Sequence, residues 1–157
     1  MNTNRAFGAS LFMAVLAMQI AVAQGLATGK VLVATRKSHD PDLAQSVVLI
    51  VHYDQDGAMG LILNRPVKDV YFGGPVALGA RCLFRSAKKP SGAELIFGDV
   101  YMATRPVEKG RVYAGYTGWS AVQLNDEVSR GLWKVLPGNA GVVFDPNPST
   151  LWARLLR

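Results

Sequence analysis

One cysteine, Cys82, stands in 157 residues, so no disulfide can close within the chain and no disulfide framework holds the fold. Histidine is nearly as scarce: His39 and His52 are the whole complement, and with a single thiol they cannot make an all-Cys/His zinc site. Charged residues are 18% of the chain against 50% hydrophobic, which excludes the highly charged, apolar-poor compositions of intrinsic disorder. Sixteen glycines and eight prolines imply many turns, yet no Gly-X-Y period runs through them, and collagen is excluded. After Leu26 there is no linker, no low-complexity tract, no internal repeat and no charge-free stretch of membrane-spanning length. No strand leads into G-x-G-x-x-G or a P-loop, so neither nucleotide fingerprint is present. What is there has the length of one domain and a basic balance, 17 Lys+Arg against 11 Asp+Glu.

The first two dozen residues differ from the rest. Arg5 is the only charge before Lys30, and it precedes an apolar run from Ala6 to Val22 that ends in Ala21-Val22-Ala23. A positive n-region, an apolar h-region and small residues at the cut are the parts of a secretory signal. The expectation is therefore a signal peptide over residues 1–23, a single domain over 24–157, and a periplasmic or secreted protein. Two alternatives stay open. An uncleaved segment would anchor the chain to a membrane, and a start at Met13 or Met18 would make it cytoplasmic. No cysteine follows the run, so lipoprotein attachment is not expected.

Periodicity places strands over Lys30–Thr35, Ser46–Tyr53 and Ala58–Leu63, the last two joined by the turn Asp54-Gln55-Asp56-Gly57. The unbroken β-branched run of the second suits a strand buried on both faces. Pro66, lacking an N–H, should close the third. Shorter strands follow at Val70–Phe72, Arg81–Phe84, Ala93–Phe97, Val100–Ala103, Arg111–Tyr116 and Trp133–Leu136. Ser120 with Gln123 forms a capping-box pattern before a helix carrying Ala121, Leu124 and Val128 on one face. Asn147-Pro148 opens a closing helix with Leu151, Trp152, Leu155 and Leu156. Strands early and helices late argue an α+β fold.

Three segments together resemble one family. They are GKVLVATRKSHDPDLAQSVV from Gly29, GAMGLILNRP from Gly57 with FGGPV from Phe72, and YAGYTGWSAVQL from Tyr113, and they resemble the YqgE/AlgH family. The resemblance implies an α+β domain with a branched, mostly antiparallel sheet curled into a pseudo-barrel, flanked by a few helices, mainly C-terminal. It implies no established activity; a regulator label is attached to some members. This chain departs from the family pattern in three places. Only Val67–Val70 separate Asn64-Arg65-Pro66 from Tyr71, where relatives carry a longer helical insertion. Val51, His52 and Tyr53 replace a common Cys-Glu-His, and the signal-like start is atypical.

The best ligand-facing candidates are Asn64 and Arg65, with Gly73 and Gly74. A strand-end arginine beside glycine-rich backbone could hold a carboxylate or phosphate through bidentate and main-chain N–H bonds, or else make an internal salt bridge over tight glycine turns. Trp119 is a further candidate that a core position would also explain. Ser120 sits where a nucleophile elbow would, but Val122 replaces the second glycine and both histidines precede it, so capping is the better reading. His39-Asp40-Pro41-Asp42 and Asp54/Asp56 read as turns rather than metal ligands. Arg81, Arg85, Lys88 and Lys89 form the one local basic cluster, with Cys82 among them. Without interleaved aromatics beyond Phe84, nucleic acid is not the expected partner. The sequence thus predicts a non-catalytic binding or structural module. Its partner would be a protein or a small anionic ligand, with no cofactor and no metal. A sensor or a transcriptional regulator is the alternative.

Overall fold

The computed structural model describes residues 25–157, so the signal-like segment lies outside the described residues. Eleven strands there divide into two sheets. The first contains β1 (Val31–Ala34), β2 (Val47–Tyr53), β3 (Ala58–Ile62), β10 (Thr117–Trp119) and β11 (Trp133–Leu136), in the order β10-β3-β2-β1-β11, all antiparallel. The second contains β4 (Pro66–Val67), β5 (Val70–Phe72), β6 (Arg81–Arg85), β7 (Glu94–Phe97), β8 (Val100–Ala103) and β9 (Arg111–Ala114). Its order is β4-β5-β9-β6-β8-β7, antiparallel except for the β5–β9 pair. The helices are α1 (Ala121–Ser129), α2 (Ala140–Val143) and α3 (Pro148–Leu156). The class is α+β, as expected, although the strands form two sheets that do not close into a barrel.

The first sheet is buried on both faces because its central strands are apolar through Val31–Ala34, Val47–Val51 and Ala58–Ile62, and the period of two sorts them between two cores. Val31, Val33, Val47, Leu49, Val51, Leu61 and Leu63 face the second sheet, where Leu83, Ile96 and Tyr113 meet them, with Val143 of α2 and Leu151 of α3 closing the side. Leu32, Ala34, Val48, Ile50 and Ile62 face the other way, onto Trp119, Trp133 and Leu124 of α1.

The sheets are tied at Gly73. Its N–H donates to the Ala114 carbonyl (2.7 Å) in the second sheet, and its carbonyl accepts from Ile62 N–H (2.9 Å) beside the first. A Cβ at Gly73 or Gly74 would overlap the backbone of Gly115 or Tyr116, so only glycine permits this crossing.

Local expectations met physical limits in several places. Pro66 does not close β3 but opens the edge strand β4, where its missing N–H faces no neighbour. The short link forms a tight hairpin, Val67 opposite Val70, with Lys68 at φ 57° in its two-residue loop. Val67, Val70 and Phe72 share the outer face of that hairpin and are 56%, 38% and 36% exposed. Ser120 caps α1 by accepting from Gln123 N–H (3.1 Å), but the Gln123 amide reaches Glu127 instead of completing the box. Asn147 makes no side-chain cap on α3. Strand β10 and helix α2 were not legible in the sequence, being only three and four residues long.

Candidate functional site

The concave feature with convergent polar groups lies at the mouth between the two sheets, and a β-bulge creates it. In the β2–β3 ladder Ile50 pairs with Gly60 and His52 with Met59, leaving Val51 as the extra residue. Strict alternation would put His52 with Val48 and Ile50, toward α1. The bulge instead brings Val51 and His52 to the same side, because an inserted residue re-aims the side chains beyond it. His52 is thereby a cross-strand neighbour of Met59 on the inter-sheet face. Opposite, Glu94 of β7 pairs with Met102 of β8, and Met102 with Leu83 of β6, which turns both toward the first sheet. Arg81, two residues before Leu83, shares that face. Together with Gly92, Ala93, Ala103 and Thr104 these residues line a groove of about 360 Å³.

His52 is oriented from outside the groove. Its Nε2 and the Asp54 Oδ2 are 2.8 Å apart. The other oxygen, Oδ1, accepts from the N–H groups of Asp56 (2.8 Å) and Gly57 (3.1 Å) and so holds the hairpin turn. The His52 hydrogen bond, helped by those backbone bonds, keeps the Asp54 carboxyl below its ordinary pKa. A carboxylate can only accept, so Nε2 carries the proton and Nδ1 of the neutral ring keeps its lone pair. The Arg81 guanidinium is steadied by the carbonyls of Gly79 (3.1 Å) and Ala80 (3.2 Å).

The residues expected from sequence to face a ligand sit elsewhere. Asn64 accepts from Val47 N–H (2.9 Å) and donates to the Gln45 carbonyl (2.9 Å). Arg65 donates to the carbonyls of Asp42 and Ala44, the latter at 2.9 Å, rather than to a carboxylate. Both clamp the loop between β1 and β2, where Gln45 has φ 57°. Gly73 and Gly74 are buried at the sheet seam, adjoining Arg65 through the Phe72 N–H to Arg65 carbonyl bond (2.8 Å). Trp119 is not brought to this corner. It pairs with Ala58 at the far end of β3 and is 6% exposed. There its indole and that of Trp133 pack edge to face (centroids 5.8 Å), and both donate to Glu127 Oε2, at 3.0 and 2.8 Å.

The remaining motifs also take structural places. Asp40 Oδ1 accepts from Asp42 N–H (2.8 Å), an Asx turn, and no cluster of three His, Cys, Asp or Glu side chains suited to a metal occurs among the described residues. The basic cluster is divided: Arg81 enters the groove, Arg85 is held bidentately by Asp99, and Cys82 is buried, accepting from Val107 N–H (3.4 Å).

Two features have no local signal in the sequence. Arg111 lies between the rings of Tyr71 (5.1 Å) and Phe144 (5.9 Å) and donates to the carbonyls of Val143 (3.2 Å) and Asp145 (2.6 Å), fastening the second sheet to the chain after α2. A second groove, of about 560 Å³, is lined by Arg36, Trp152, Ala153, Leu156 and Arg157. Its one indole N–H is engaged by the Ala34 carbonyl (2.7 Å). The first groove likewise has no cue in the sequence, because Val47–Val51 is apolar throughout and the bulge shows only in the pairing with β3.

Comparison with known proteins supplies the family. Residues 31–157 match the AlgH-like family. A UPF0301 protein of Thermobifida fusca is 34% identical, covering 83% of this chain and 85% of its own, and one of Streptomyces avermitilis is 32% identical with the same coverage. The solution structure of the AlgH protein from Pseudomonas aeruginosa superposes with a TM-score of 0.68 at 28% identity, covering 83% of this chain and 87% of that one. A crystal structure from Corynebacterium diphtheriae shares the fold, with a TM-score of 0.75 at 22% identity over 84% and 86% of the two chains. The chain belongs to the AlgH-like family.

Proposed function

We propose that this AlgH-like protein is a non-catalytic binding module whose ligand sits in the groove between the sheets. The observation that carries the reading is the β2 bulge, which turns His52 away from the α1 side and into the mouth that Met102, Glu94 and Arg81 line from the opposite sheet. Bulges that re-aim a side chain concentrate beside functional sites. Binding rather than catalysis is supported by the lining: Thr104 is its only hydroxyl, no serine or cysteine is among its residues, and Ser120 is occupied as a helix cap. A thermal-shift panel of metal ions, anionic metabolites and nucleotides tests it, with Thr104→Trp as the variant that fills the groove from its exposed rim. Ligands that raise the melting temperature should lose their effect in Thr104→Trp and keep it in Arg157→Ala, which alters the other groove. No stabilising ligand, or stabilisation that survives Thr104→Trp, contradicts the reading.

The same reading has the protein act outside the cytoplasm. Arg5, the apolar run from Ala6 to Val22 and Ala21-Val22-Ala23 support it. N-terminal sequencing of the protein from its host should begin at Gln24, and recovery of Met1 from the cytosol overturns it.

A further inference from the structure

We propose that the groove takes a soft monovalent cation, copper(I) or its redox-inert analogue silver(I), held by His52 Nδ1 and the thioether sulfurs of Met59 and Met102. This rests on the groove being the binding site and names its ligand class. The donors decide the class. Thioethers are soft, polarisable ligands that select Cu(I), whereas hard cations require several oxygens. The groove supplies two methionines and an imidazole but only Glu94 as a lining carboxylate.

The placement is built from both sheets. Met59 stands directly across from His52 in one ladder, and Met102 directly across from Glu94 in the other, so the two sulfurs line the mouth from opposite walls. The His52–Asp54 bond supplies the outer support that metal-binding imidazoles carry: a carboxylate takes one ring N–H, fixes the tautomer and leaves the other nitrogen for the metal. Charge agrees. Glu94 and Arg81 balance within the lining, and Asp54, bonded to His52 from outside it, adds one negative charge that a monovalent cation on His52 neutralises. Met59 and Met102 also touch the inter-sheet core, and filling space there is the competing explanation for them. The two accounts differ in what leucine does. Leucine fills the same volume at small cost but offers no sulfur.

The test is competition for Cu(I) against a chromogenic chelator, anaerobically and with reductant, using the full chain. Wild type should withdraw one equivalent of Cu(I). Asp54→Asn keeps Oδ1 for the turn and replaces only the oxygen facing His52. It should weaken affinity by about 10–100-fold. The double variant Met59→Leu/Met102→Leu should lose more than that while its urea midpoint stays near wild type. The inference is overturned when no Cu(I) leaves the chelator, or when the double variant binds as tightly as wild type. That second result would assign uptake to the remaining soft donors, Cys82 or Met1, Met13 and Met18. Organic ligands displaced by Thr104→Trp with no Cu(I) uptake would sink the copper assignment alone, whereas failure of every ligand would sink the groove as a site.

Discussion

The Tyr113 hydroxyl is buried in the inter-sheet core and has no hydrogen-bond partner among the described residues. Burial pushes its pKa well above the ordinary tyrosine value, against the pull of the Arg111 guanidinium. An unpaired buried hydroxyl costs its desolvation and returns nothing. Tyr113→Phe should therefore leave stability unchanged or raise it by up to about 1 kcal/mol, read from the urea midpoint. Asp145 is the opposite case. Its carboxylate receives two N–H bonds from Arg154, at 3.0 and 2.7 Å, and one from Asn147 N–H, and the Arg154 bonds chiefly hold its pKa below the usual carboxylate range. A depressed folded-state pKa contributes stability above the unfolded value and loses it as pH falls through the folded one. Asp145→Asn should thus be less stable than wild type at neutral pH, and the gap should close as pH falls from about 5 toward 2. A constant gap across that range would show that the charge is not what matters. Asn64 acts through geometry. Asn64→Ala leaves the Val47 N–H without its acceptor and should cost about 1–3 kcal/mol.

At the scale of elements, the β2–β3 hairpin is the piece on which the groove depends. Gly57 does not have positive φ, so a left-handed turn is not what requires glycine there. A Cβ at Gly57 would overlap the Trp119 carbonyl oxygen, because β10 is laid directly against the hairpin end. Gly57→Val should cost about 1–3 kcal/mol or more by overpacking against backbone, while His39→Ala, on an exposed turn, should stay within about 0.5 kcal/mol. Equal melting temperatures for the two variants would refute this. The long apolar strands and the capped helix α1 could be read from the sequence because their signals are local: Val47–Val51 is β-branched or aliphatic throughout, and Ser120 precedes a helical period. The bulge at Val51 could not, since it depends on which residue of β3 stands opposite, and pairing register is a long-range fact. For the same reason Asn64 and Arg65 resembled ligand donors in the sequence. The acceptors their side chains meet in the structure, the carbonyls of Asp42, Ala44 and Gln45, lie about twenty positions earlier in a loop whose course no local pattern reveals.

The whole molecule is a central sheet buried on both faces, with α1 on one side and the second sheet on the other. The two sheets are sealed at Gly73 and part at the opposite end of β3, where the groove opens beside the hairpin turn. Compared with what the family resemblance implies, the tight Pro66–Phe72 hairpin replaces a helical insertion and leaves Val67, Val70 and Phe72 facing outward. None of these three belongs to either core, so the fold does not depend on their burial. The proposed function rests on the groove. Methionine-methyl NMR of the full chain is the direct probe, because two of its five methionines, Met59 and Met102, line that mouth. Titration with silver(I), and with every ligand that raises the melting temperature, should move the Met59 and Met102 methyl signals together and leave those of Met1, Met13 and Met18 in place. Signals that all stay fixed, or shifts confined to the three N-terminal methionines, would contradict it.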